Sequence, residues 1–258
     1  MAKRFRYAND RPEDFFVETA LGHMPGYVSV QKFGRNTDVD TASVEDVWDG
    51  GGTHVAPTEA RVHNIASTDA NDTSAGTGAR TIQVYGLTDW DTAETSEAIT
   101  LDGVSDVATT NSYVIIHRMK VLTKGATDVN VGTITATAVT DATVTAQINP
   151  SQGQTQMAVY GVPSVQVAIV SQIYSNVLKL SGTVSVDNKL LVNPEPDVEL
   201  TNFITKHTFT STNSIGNVQV NFNSPKVFSG PCIIKMQADV SANNTDIGAG
   251  FDAILYTV

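Results

Sequence analysis

From about Arg61 to Val258 the chain repeats one device: short runs of Thr, Val, Ile and Ala in which apolar and hydroxylated side chains alternate. Successive side chains of a strand point to opposite faces, so a period of two describes a ribbon with one face buried. The run Thr133-Ile134-Thr135-Ala136-Thr137-Ala138 is the cleanest instance. One face is apolar or small and the other hydroxylated, as a half-exposed antiparallel strand requires. Turn signals such as Asp69 to Gly78, Asp102-Gly103 and Gly125 separate the runs, close to the spacing of about 8 to 12 residues that marks sandwiches. The pattern therefore predicts an all-β chain.

Strands are expected at Arg61–Ala66, Arg80–Leu87, Glu97–Leu101, Tyr113–Leu122, Gly132–Val139, Thr143–Ile148 and Met157–Val162. After a break at Pro163 they resume at Val165–Ile173, Leu180–Val186, Leu190–Val192, Thr205–Thr210, Asn217–Asn221, Ile233–Asp239 and Gly250–Tyr256. The segment Asn193-Pro194-Glu195-Pro196-Asp197 is a rigid connector, because prolines interrupt a central ladder. The best division is two β-sandwich, jelly-roll-like domains over 56–163 and 164–258, preceded by an N-terminal arm over 1–55. The rival is one continuous jelly roll with insertions.

The arm lacks strand alternation over most of its length. Asp10, Pro12 and Glu13 read as a helix entry, and Phe15, Phe16 and Ala20 share a face before Gly22 ends the helix. Ser43 to Trp48 reads as a further single turn, stopped by Gly50-Gly51-Gly52. With aromatics but no core of its own, the arm must dock, on its own domain or on a neighbouring subunit.

A net charge of -11 repels phosphates, so direct nucleic-acid binding is not expected. No run of about 18 apolar residues exists to span a membrane, and the basic Met1-Ala2-Lys3-Arg4-Phe5-Arg6 start lacks the apolar stretch of a signal peptide. Synthesis in a cytoplasm is the expectation. Cys232 is the single cysteine, in the apolar run Cys232-Ile233-Ile234, where a buried and inert thiol is expected.

Motifs that carry chemistry are missing from the sequence. His23, His54, His63, His117 and His207 are scattered without metal-binding spacing. There is no nucleophile elbow, phosphate loop or dinucleotide fingerprint. Asp38 with Asp40, Asp69 with Asp72, and Asp89, Asp91 with Glu94 are close acids of the kind calcium can use, but the spaced calcium loop is missing and turn acids are the plainer reading. No cofactor, metal or catalytic residue is expected, and the chain is not read as an enzyme.

Three stretches carry a resemblance. They are Gly34-Arg35-Asn36-Thr37-Asp38-Val39-Asp40-Thr41-Ala42-Ser43 leading to Val47-Trp48-Asp49-Gly50-Gly51-Gly52; Asn71 through Leu87; and the ending from Ala238 to Leu255. From about residue 30 onward the chain resembles a family of virion structural proteins of tailed bacteriophages, common in marine phages. The resemblance implies a virion component, most simply a capsid decoration or cement protein that binds the major capsid protein and its own copies, as a homotrimer. The alternative it leaves is a tail, collar or fibre part with a loop near Trp90 touching a host glycan. Arg4, Phe5, Arg6, Phe15, Phe16, Trp48 and Trp90 are the candidate contact residues, since arginines and aromatics dominate interface hot spots.

Overall fold

The computed structural model of the protein describes residues 14–179 and 182–258. A six-residue helix α1 (Phe15–Ala20) is followed by sixteen strands. They are β1 (Tyr27–Val39), β2 (Glu45–Asp46), β3 (His63–Ser67), β4 (Ala79–Leu87), β5 (Thr95–Thr100), β6 (Val107–Ala108), β7 (Ile115–Lys124), β8 (Ile134–Ala138) and β9 (Thr143–Ile148). Then come β10 (Val159–Val162), β11 (Gln166–Leu178), β12 (Ser185–Asn193), β13 (Ile204–Thr212), β14 (Asn217–Ser229), β15 (Cys232–Val240) and β16 (Thr245–Thr257). The all-β expectation holds.

Two sheets with the orders β1-β16-β11-β14 and β10-β15-β12-β13 make one sandwich, and its strands pair antiparallel. Counting only these strands, the orders are first-eighth-third-sixth and second-seventh-fourth-fifth. That is the strand order of a jelly roll. The inner faces supply its core: Ile247, Ala249, Phe251, Ala253 and Leu255 from β16 meet Cys232, Ile234, Met236 and Ala238 from β15. On β11 the inward phase runs Ala168, Val170 and then Ile173, Val177. It slips by one residue where the register shifts between Val170 and Gln172, because a bulge inserts an extra residue into the alternation.

The connection from β1 to β10 contains all the other described strands, β2 to β9, of which β2 joins the jelly roll. Sheets β6-β3-β8-β9 and β5-β4-β7 enclose a second core around Ile65, Ile82, Val84, Leu87, Tyr113, Ile115, Met119, Ile134 and Ile148. This core also takes in Met157, Val159 and Ile233, which lie on the outer face of the jelly roll, so the two sandwiches share an apolar seam. Gly161 on β10 makes the close approach possible: a Cβ there would lie 2.7 Å from Cγ2 of Ile115 and 3.2 Å from Cδ1 of Leu87.

The structure therefore redraws the division at 55 and 163. Tyr27–Val39, read as arm, is a thirteen-residue strand paired along β16 from Tyr27↔Tyr256 to Val39↔Thr245, and Val159–Val162 belongs to the jelly roll. The single turn expected over Ser43–Trp48 is instead the short strand β2 against β15. Buried Glu45 holds it by accepting hydrogen bonds from Asn36 Nδ2 at 2.9 Å and Gly52 N at 2.8 Å. The helix entry at Asp10, Pro12 and Glu13 lies outside the described residues. The described helix is capped by Asp14, whose carboxylate accepts from Phe16 N at 2.8 Å. The expected runs Leu180–Val186 and Leu190–Val192 give way to the single strand β12, beginning at Ser185.

Candidate functional site

Of the expected contact residues, Arg4, Phe5 and Arg6 lie outside the described residues. Phe15 and Phe16 sit on α1, 39% and 57% exposed, and Val17 and Leu21 beside them are more than half exposed. The helix buries Glu18 and Thr19 instead, an inversion of the usual amphipathic arrangement. Phe15 packs edge-on against Phe16 and against Tyr27 (5.4 Å), and Tyr27 against Tyr256 (4.9 Å), so an aromatic row runs from the helix onto the jelly-roll edge.

Trp48 is not free to anchor a partner. It is 4% exposed, joins the second core, donates from Nε1 to the Gly52 carbonyl at 3.3 Å and stands edge-on to His54. A side chain so enclosed contributes to folding of its own chain. Trp90 is half-buried against the same core. Its loop is tied back by Ser164 N donating to the Trp90 carbonyl and Ser164 Oγ to Asp91.

The acid pairs are turn acids at their most explicit in Asp72, which is fully buried. Its carboxylate accepts from Ser67 Oγ, Ala79 N, Val131 N and Gly132 N, which fastens three loops of the inserted sandwich to one side chain. Among the described residues no three His, Cys, Asp or Glu side chains are grouped to hold a metal ion. Cys232 is buried, and burial pushes its thiol up to about 12.

Among the described residues, two buried ionic clusters occupy the seam. In the first, Asp46 of β2, fully buried, accepts from Lys235 Nζ at 2.7 Å, His54 N at 2.8 Å and Gln237 Nε2 at 3.3 Å. The Lys235 ammonium also lies 4.0 Å from the ring centre of Phe203. The Asp46 carboxylate is satisfied within the chain, so this cluster pins β2 onto β15.

The second cluster lines a cleft of about 520 Å³ between β1 and the inserted sandwich. Lys32 of β1, 8% exposed, donates from Nζ to the His117 carbonyl at 2.5 Å. His117, 1% exposed, meets Glu94 through Nε2 at 2.5 Å and stacks on Tyr160 at 4.3 Å. With a carboxylate on Nε2, the neutral ring carries its proton there and Nδ1 is a buried acceptor without a partner among the described residues. Arg118 donates to Gln154 Oε1 at 3.1 Å and lies over Tyr85.

The electrostatics of this cleft follow from burial. Desolvation, helped by Arg118 and opposed by Glu94, lowers the Lys32 ammonium to about 7. Desolvation lowers His117 against the pull of Glu94. Glu94 is held below its ordinary range: burial would raise it, but its His117 hydrogen bond and the charges of Lys32 and Arg118 outweigh that. Burial pushes the Tyr160 hydroxyl far up, and the neighbouring Glu94 adds to it.

A sequence signal for this cleft existed in two places. Lys32 falls on the inward phase of Val30, and His117 follows Ile115-Ile116 where β7 is buried on both faces. A polar side chain in an apolar phase marks a buried partner without naming it. Comparison with protein-family models, curated proteins and solved structures gave no match to this chain.

Proposed function

We propose that this chain is a structural protein of a virus particle that works by shape and contact, a decoration or cement subunit on the head of a tailed phage. The observation that carries the reading is the outward-turned apolar face of α1. Phe16, Val17 and Leu21 are each more than half exposed, next to the aromatic row at the jelly-roll edge. Exposed apolar groups gathered in one place mark a contact surface. The jelly roll, an architecture used by viral capsid and lectin domains, adds support at the level of fold alone.

In this reading α1 and the residues before it bind the major capsid protein, while the sandwiches meet copies of themselves around a threefold axis. Burial of the helix face contributes about 25 cal/mol per Å² before the costs of association. The test is co-sedimentation with shells assembled from the major capsid protein of the phage that carries this chain. Removing residues 1–22 leaves β1 whole, since that strand starts at Tyr27. The truncated chain, and the double variant Phe16→Ser with Leu21→Ser, should keep the wild-type far-ultraviolet β spectrum and lose binding. Retained binding would overturn the assignment of the helix. Densitometry of purified virions separates a head protein, in hundreds of copies, from a tail, collar or fibre part present in far fewer.

A further inference from the structure

We propose that the cleft between β1 and the inserted sandwich binds a carboxylate-bearing saccharide, with the acid group on Lys32 and Arg118 and the sugar ring beside Phe33. Ala20 of α1 also lines this cleft, but the test uses the isolated full chain without a shell, so its failure is distinguishable from failure of the assembly reading.

The argument begins with hydrogen-bond accounting at Lys32. An ammonium has three donors, and among the described residues this one has a single acceptor, the His117 carbonyl. It is more than nine-tenths buried and lines the cleft. A buried cation short of acceptors is unfavourable, and an arriving carboxylate supplies what is missing as charge-assisted hydrogen bonds.

Local charge points the same way. Lys32 and Arg118 face the cleft with Glu94 as the one carboxylate, and Glu94 is already engaged by His117. With Lys32 protonated the recess is cationic within a chain of net charge -11, and it concentrates anions there. Arg118 has donors to spare beyond its single bond to Gln154, and its planar fork matches a carboxylate.

The rest of the lining selects the body of the ligand. Phe33 lines the cleft, Tyr85 lies beneath Arg118 and Lys120, and Ser29, Gln31, Gln154 and Thr155 bring hydroxyl and amide groups. An aromatic side chain among short polar groups suits a ring bearing hydroxyls better than an aliphatic acid. A volume of about 520 Å³ lies within the range of about 300–1,000 Å³ usual for ligand pockets.

The test is titration calorimetry of the full chain with glucuronate and galacturonate, set against glucose, galactose, acetate and inorganic phosphate. The uronates should bind at least about tenfold more tightly than any of the others, a difference of about 1.4 kcal/mol. Lys32→Met should weaken uronate binding by a similar factor. Arg118→Gln, at an exposed position that cannot threaten the fold, should weaken it severalfold with an unchanged melting temperature. Equal affinity for neutral sugars, acetate or phosphate would overturn the proposal. So would an absence of uronate binding, or affinity unmoved in Arg118→Gln.

Discussion

Replacing Lys32 with methionine tests the buried cleft through stability alone. The unfolded chain holds the Lys32 proton up to its ordinary value of 10.5, whereas the folded chain releases it near about 7. Between those values the unfolded state binds more protons, so wild-type stability rises with pH. Each pH unit inside the window contributes about 1.4 kcal/mol, which makes about 3 kcal/mol between about pH 7.5 and 9.5. The charged and titratable groups facing Lys32 are Glu94, Arg118, His117 and Tyr160. With Glu94 and His117 lowered and Tyr160 far raised, none of them changes protonation in that window. Lys32→Met lacks the titrating group and strands the His117 carbonyl, a pH-independent penalty of about 1–3 kcal/mol. Urea unfolding at fixed ionic strength, followed by fluorescence of Trp48 and Trp90, should show the wild type gaining on the variant by about 3 kcal/mol across the window. Parallel curves for the two proteins would refute the burial argument.

Three further outcomes are expected. Asp46→Ala leaves the Lys235 ammonium buried without its carboxylate and should cost about 3–5 kcal/mol in urea unfolding. Asp49 is raised by desolvation to about 7, so the folded state keeps its proton longer than the unfolded one and this group lowers stability as pH climbs from 3.8 to about 7; Asp49→Asn should gain on the wild type over that window, read from urea midpoints with an unchanged slope. Gly161→Ala inserts a methyl group against Ile115 and Leu87 at the seam and should cost about 1–3 kcal/mol, with a lowered melting temperature.

How the chain can be read locally is shown by two neighbouring cases. Thr143–Ile148 was legible to the residue as β9, and the alternating run before it as β8, whose burial alternates from Ile134 to Ala138. β8 has one buried face and both strands are bounded by turns, so the signals that place them lie within a few residues. β1 carried no such signal. Its inward phase continues through Lys32, Gly34 and Asn36, and none of these is a large apolar side chain. Gly34 is there because the Val47 carbonyl and the Ala158 amide pass against it, and Asn36 because Glu45 needs a donor. Those demands come from residues distant in sequence or from a buried cluster, so no periodicity reports them.

The contact residues divide in the same way. Phe15 and Phe16 were legible as aromatics on a short helix, and they are exposed. Trp48 reads identically as a residue type, yet the second core and His54 enclose it.

By itself the sequence determined an all-β chain, the positions of most strands after Arg61 and an inert buried thiol, because period-two burial and turn chemistry are local properties of a pleated ribbon. Tertiary structure alone decided that the first and last strands pair across the whole chain, that one sandwich is inserted into the other, and that Lys32, Glu94 and His117 meet at the seam. Strand partners and buried charge pairs are selected by contacts between distant segments, whose energies leave no trace in the residues beside them.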